Sequence, residues 1–201
     1  MNLLVRVISR LAGIFLLGAL LLSGGCKGGQ SGFRSTDITG ADFGKQFLLH
    51  DHNGKPRTLE DFRGRVVVMF FGFTHCPDVC PTTLGELSAA LRKLGVAGEK
   101  VQVLLVSVDP ERDSGEVLAK YVTAFHPDFL GLRGSAEETA RVAKEFKVIY
   151  QKVTGRSAGT YSMDHSAGTF IFDTQGRLRL YVGYGPGAEV FAHDIGILLR
   201  S

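Results

Sequence analysis

Two cysteines four residues apart, Cys76 and Cys80 in Phe73-Thr74-His75-Cys76-Pro77-Asp78-Val79-Cys80-Pro81, are the side chains of this sequence best placed to do chemistry. The apolar run Val66 to Phe71 precedes them, and its branched and aromatic content predicts a strand buried on both faces. A helical pattern follows, with Pro81 in its first turn and a capping box expected from Thr83 to Glu86. Both thiols therefore fall on a strand-to-helix turn, where the helix dipole and the free N–H groups favour the thiolate. A thiolate binds metal and attacks disulfides, so both chemistries are open at this point.

Two ligands leave a copper or zinc ion undersatisfied, and a metal site needs a third donor. The sequence offers six histidines. His165 is favoured because it sits in a polar loop just before an expected strand, where loop ends converge in open α/β sheets. His75 adjoins Cys76 and points elsewhere, although its cationic form would lower the thiol pKa. His50 and His52 fall on opposite faces of a regular strand and read as solvated. His126, before Pro127, and His193, within the last helix, read as structural. Asp78 and Asp164 are candidates to orient His165 or tune the site, against the plainer reading that at least one is a turn residue. Asp109-Pro110 is either a turn and helix entry, with Asp113 or Ser114 as the cap, or one wall of a partner-docking face.

At 201 residues and 44% hydrophobic content the chain can bury one domain once any targeting segment is removed. The net charge of +3 includes Arg6 and Arg10, which lie in an acid-free leader, so the remainder is close to neutral. Neither a nucleic-acid footprint nor a polybasic membrane patch is indicated. Residues 1–25 read as an export signal of the lipoprotein type, with a basic start and an apolar core, Leu11 to Leu22, too short for a full membrane span. Leu22-Ser23-Gly24-Gly25-Cys26 resembles the bacterial lipobox, with Ser23 where leucine is usual, and makes Cys26 the lipid-attachment candidate. The expectation is an exported protein anchored to the membrane, its domain on the outer, periplasmic or extracytoplasmic side. An uncleaved signal anchor would give the same compartment. With Cys26 committed to lipid, Cys76 and Cys80 remain as an isolated pair in an oxidising compartment. A disulfide between them would close too short a loop to stabilise the fold much, which favours a chemical role.

Residues 26–40, rich in Gly, Ser and Thr, read as a flexible tether, and the folded domain is expected over 41–201. Asn53-Gly54 marks a hairpin between Phe47-Leu48-Leu49 and Thr58-Leu59. Leu84, Leu87, Leu91 and Leu94 recur at helical spacing and stop at Gly95; Val101 to Val108 reads as another buried strand. Ser135 and Glu138 form a capping box. Val148 to Val153 reads as a strand, Thr169–Phe172 and Leu178–Val182 as a second hairpin, and Ala188 to Leu199 as a last helix. Alternating strands and helices that close in a hairpin and a helix indicate an α/β fold with a mixed sheet.

Three stretches, Phe73 to Thr83, Ser107-Val108-Asp109-Pro110-Glu111-Arg112-Asp113 and Asp164-His165-Ser166-Ala167, resemble the three signatures of the Sco/SenC copper chaperones, across roughly Ala41 to Leu199. The resemblance implies a thioredoxin-like fold, with a central mixed sheet flanked by helices, an N-terminal hairpin and a loop insertion carrying the histidine. It also implies N-terminal membrane attachment and copper, as Cu(I) and Cu(II), bound by Cys76, Cys80 and His165. The implied acceptor is a haem-copper oxidase subunit, most often subunit II, loaded from a copper donor that the sequence does not identify. Such a protein is a metallochaperone rather than an enzyme, with thiol-disulfide reduction as an ancillary activity. The rivals on the same fold are a thiol-disulfide oxidoreductase and a redox or copper sensor. Against the first, the spacing is CxxxC where thioredoxins use CxxC, and Met69 and Phe73 stand where a peroxiredoxin would carry Pro and Thr.

Overall fold

The computed structural model describes residues 32–155 and 159–201, and Phe33–Ser201 form one compact unit. The export signal and Cys26 lie outside the described residues. In chain order the elements are β1 (Thr36–Asp37), β2 (Leu49–Asp51), β3 (Pro56–Arg57), β4 (Val66–Gly72), α1 (Val79–Leu94), β5 (Val101–Ser107), α2 (Gly115–Thr123), β6 (Leu130–Arg133), α3 (Ala136–Glu145), β7 (Tyr150–Thr154), β8 (Tyr161–His165), β9 (Thr169–Phe172), β10 (Leu178–Val182) and α4 (Ala188–Leu198).

Eight strands form one sheet in the order β1-β10-β9-β4-β5-β6-β2-β3, while β7 and β8 pair separately as a two-stranded ribbon. The pairs β4–β5 and β5–β6 are parallel and the rest antiparallel, so the sheet is mixed, as expected. β4 lies at its centre, and from Val66 to Phe71 no residue is more than 3% exposed. Side chains alternate across a strand. Val66, Val68 and Phe70 therefore pack with Leu84, Leu87 and Leu91 of α1 and Phe191 and Ile195 of α4. Val67, Met69 and Phe71 meet Val142 and Phe146, with Phe170 and Phe172 of β9, on the other face. The leucine spacing of α1 and the unbroken apolar run of β4 are two halves of one packing arrangement.

The Asn53-Gly54 hairpin forms as expected: the Asp51 carboxylate accepts the Asn53 and Lys55 N–H groups, and Gly54 adopts φ 80°. The Ser135–Glu138 capping box is also present. The box expected at Thr83 and Glu86 is not a helix start. α1 begins four residues earlier, and the buried Thr83 hydroxyl donates to the Val79 carbonyl inside the helix.

The fold also begins earlier than Ala41. The backbone N–H groups of Arg34 and Ser35 donate to the two carboxylate oxygens of Asp194 at 2.8 and 2.9 Å, and β1 pairs with β10. Asp194 is wholly buried on α4 and also takes a hydrogen bond from His193. The residues from 33 to 40 are part of the domain because a buried carboxylate satisfies two backbone donors that a free tether would leave to water.

Burial alone would raise the Asp194 pKa, but the donors from Arg34, Ser35 and His193 outweigh it and hold the group below the ordinary carboxylate value of 3.8. Asp173 and Asp51 are buried and lowered in the same way, each opposed by burial and held down by arginine and backbone N–H donors. A carboxylate with a depressed folded-state pKa contributes stability that is present above its unfolded pKa and is lost as pH falls through the folded value. Thermal unfolding followed by circular dichroism should therefore show a falling midpoint from about pH 5 down to about pH 2. Asp194→Ala should cost about 3 kcal/mol at neutral pH and flatten that acid slope; an unchanged slope would remove Asp194 from the account.

Candidate metal centre

β4 ends at Gly72 and α1 begins at Val79, and the turn between them carries Cys76. The turn is tied at two points. The Cys76 N–H donates to the Phe73 carbonyl, and the Thr74 hydroxyl donates at 2.6 Å to Asp113, a fully buried carboxylate that also takes the Ser107 hydroxyl at 2.6 Å. Asp113 is therefore a tie between the cysteine turn and the end of β5. Ser114 is the cap of α2, its hydroxyl accepting from the Val117 N–H.

Cys80 lies in the first turn of α1 and is fully buried, whereas Cys76 is half-buried. A β-carbon on Gly72 would stand 2.6 Å from the Cys80 sulfur, so only glycine lets the helix start this close to the strand end. The Cys80 N–H points at the Cys76 sulfur at 3.5 Å, placing a helix-terminal donor on that thiol.

His165 arrives from the other side. The insertion expected as a loop is the ribbon β7–β8, in register from Tyr150–His165 to Thr154–Tyr161, and His165 is the last residue of β8. Tyr161, Met163 and His165 alternate onto the face turned toward the domain; Ser162 and Asp164 are exposed on the other. The imidazole stands edge-on to Phe73, ring centroids 5.9 Å apart. Its Nδ1 lies 3.0 Å from the Ser166 carbonyl. A carbonyl only accepts, so Nδ1 carries the proton and Nε2 is left free as a donor atom. One donor atom each from Cys76, Cys80 and His165 lies within 4.8 Å of the other two, and among the described residues this is the cluster able to hold a metal ion.

The three groups titrate as a set. The Cys80 thiol donates to the Cys76 sulfur, and with His165 and the Cys80 and Asp78 N–H groups it outweighs burial, drawing the Cys76 thiol down to about 3. The same hydrogen bond, together with burial, pushes the Cys80 thiol up. Burial opposes protonation of His165, but Cys76 and the Ser166 carbonyl more than offset it and raise the imidazole pKa. The resting site is a thiolate at the rim, a thiol at its base and an imidazole across from them.

The remaining residues singled out from the sequence fall outside this cluster. Asp164 acts on His165 through charge alone, because strand alternation turns its side chain away. Asp78 is exposed and accepts from Thr82 and Tyr184, both at 3.3 Å. Asp109 is 2% exposed, pairs with Arg112 and accepts from the Tyr161 hydroxyl, so its carboxylate is turned inward. His75 is exposed and contacts the Thr74 hydroxyl, His52 accepts from Gly131, and His126 stacks on Phe129. Gly72 and Tyr161 escaped the sequence reading, and Asp113, a cap candidate there, is instead the tie to Thr74 and Ser107. Gly72 interrupts an apolar strand directly before a cysteine motif, which was the available signal.

The family model described as SCO1/SenC matches residues 35–200. The mouse protein named SCO2 homolog, mitochondrial, is 40% identical over 151 residues, covering 74% of this chain and 59% of its own length. The chain thus spans well under two thirds of that relative. Among solved structures, Bradyrhizobium japonicum ScoI with copper bound is 39% identical at a TM-score of 0.71, covering 78% of this chain and 99% of the other. Apo Sco1 from Thermus thermophilus is 44% identical at 0.71, covering 86% and 98%.

The pKa ordering sets a reactivity order. Alkylation of the reduced full chain at about pH 6 should label Cys76 and spare Cys80, read by peptide mass spectrometry; equal labelling would contradict the thiol–thiolate arrangement. Gly72→Ala should destabilise by about 1–3 kcal/mol, the usual range for overpacking, and move the Cys80 sulfur, seen as a changed alkylation pattern.

Proposed function

Since the chain belongs to the SCO1/SenC family, we propose that it is a copper chaperone in which Cys76, Cys80 and His165 hold the ion and pass it to a haem-copper oxidase during assembly. The observation that carries the reading is the meeting of two thiols and one free imidazole nitrogen within 4.8 Å, in a chain whose relatives include Sco proteins solved with copper bound. Soft sulfur donors with one imidazole suit Cu(I) in a three-coordinate site and also accommodate Cu(II); structural zinc would call for a fourth protein ligand. Trigonal donors at about 2.3 Å from an ion stand about 4 Å apart, so the cluster needs little contraction to close on a metal.

Copper is cargo here, and the arrangement suits release as well as capture. Cys80 forms the buried base, while Cys76 and His165 are half-buried and open to an incoming ligand. An acceptor's thiol or imidazole can bind from that side before the chaperone's own ligands let go, with no net redox change for Cu(I). The Cys80 proton leaves when the ion enters and returns when it departs. The acceptor's copper site in oxidase subunit II, and attachment to the outer face of the membrane through a lipidated Cys26 once residues 1–25 are removed, complete the proposal. Among the described residues no helix is long and apolar enough to cross a membrane. The lowered Cys76 pKa beside a buried second thiol also favours a subordinate reading, dithiol exchange with the acceptor's cysteines.

The reduced full chain in detergent should bind one Cu(I), and the oxidised Cys76–Cys80 form should bind none, by metal analysis after desalting. His165→Ala should retain the fold and weaken binding by about 10- to 100-fold; unchanged affinity would take His165 out of the site. Because the Cys80 pKa is raised, the metal-free site keeps that proton at neutral pH and the ion must displace it. Apparent affinity should therefore climb with pH, up to about tenfold per unit for one proton released. A pH-independent affinity would contradict the protonated Cys80.

A further inference from the structure

The segment from Ser107 to Asp113 touches both halves of the metal centre. At its ends Ser107 and Asp113 tie down Thr74 of the cysteine turn. Between them Arg112 pairs with the buried Asp109, donates from Nη1 to the Tyr161 carbonyl at 3.1 Å, and lies 3.7 Å over the Tyr161 ring. The Tyr161 hydroxyl donates to Asp109 at 2.8 Å. Lys152 of β7 lies 3.9 Å over the same ring and pairs with Glu111 at 2.7 Å. Tyr161 is thus gripped at its hydroxyl, its ring and its backbone, by a segment that is itself fixed to the cysteine turn.

His165 meets the edge of Phe73 and the Cys76 sulfur and hydrogen-bonds the adjacent Ser166, contacts made by its ring alone. Among the described residues the ribbon that bears it pairs with no strand of the main sheet. Tyr161 and His165 occupy the two ends of β8 on one face, roughly 13 Å apart along the strand. A ribbon held at one end by Tyr161 delivers the imidazole at the other in a fixed place. Released there, it would rest on Met163, on Tyr150 and on the Ser166–Ile149 hydrogen bonds.

We propose that Tyr161, held by Asp109 and Arg112, is the positioning residue that sets His165 opposite the two thiols, and that the Ser107–Asp113 segment is the common mount fixing the spacing between them. The inference rests on the reading of His165 as a copper ligand. The observations point to a role beyond packing because the contacts spent on Tyr161 are polar and charged and belong to the same segment that fixes Cys76. A ribbon needing only to be covered would be served by the apolar face of Met163.

The test is a double-mutant cycle on the reduced full chain in detergent, with Cu(I) affinity measured against a chromophoric chelator. Tyr161→Phe keeps the ring and removes the bond to Asp109. It should weaken Cu(I) binding by roughly tenfold in the wild-type background and leave affinity unchanged in the His165→Ala background. Amide hydrogen exchange over residues 150–165 of the metal-free protein should accelerate in Tyr161→Phe while the exchange of α1 does not change, which reads the grip without any metal. Unaltered affinity in Tyr161→Phe would overturn the proposal, as would an equal loss with and without His165, since the tyrosine would then act on the thiols or on the fold. A wild-type chain that takes up no Cu(I) would instead overturn the ligand reading on which the inference rests.

Discussion

The sulfur of Cys80 lies 2.6 Å from where a β-carbon on Gly72 would stand, and the metal centre is built outward from that close approach. The approach brings the first turn of α1 against the end of β4, which turns a helix-terminal N–H toward the Cys76 sulfur. It also buries Cys80 in the packing that joins α1 to the sheet, among Leu84 and Leu105. One thiol is thereby kept protonated in an apolar surround and the other is made its hydrogen-bond acceptor. The asymmetry between two chemically identical residues is a packing consequence, set by which of them lies inside the helix and which lies in the turn before it.

The two sides of the site have different mechanical characters. The thiols are mounted on the most buried strand of the domain and on a helix with apolar neighbours along its length, so their positions follow from the core. The imidazole is mounted on a two-stranded ribbon outside the main sheet, joined to the domain by the buried Met163 and a few polar and aromatic contacts. A rigid pair of soft donors facing a separately held third suits a site that must both keep and surrender an ion. The buried aspartates at the edges of the fold serve another purpose. Asp51, Asp173 and Asp194 each satisfy backbone donors in a turn or a terminal segment, and they tie the outer strands to the sheet.

Much of this is legible in the residues themselves. The unbroken apolar run of β4, the leucine spacing of α1 and the Asn53-Gly54 turn are local patterns that tertiary packing reinforces, and each appears where expected. Cys76, Cys80 and His165 also meet, although the histidine lies 85 or more positions beyond the cysteines and no local pattern brings them together; the resemblance to the Sco/SenC signatures singled out the triad. What escaped depends on partners distant in sequence. Thr36–Asp37 looks like tether until Asp194, on the last helix, is seen to take the N–H groups just before it. Asp109 looks like a surface turn until Tyr161 closes over it. Thr83 and Glu86 fit a capping pattern but fall inside a helix whose start is fixed by the cysteine turn, where propensity yields to the packing of Cys80.

The most direct test of the account is X-ray absorption at the copper edge on the Cu(I)-loaded full chain. Two sulfur donors and one nitrogen donor around a single three-coordinate ion are expected, with the nitrogen contribution lost in His165→Ala. Two sulfurs alone in the wild-type protein, or a four-coordinate ion, would contradict a centre made by Cys76, Cys80 and His165.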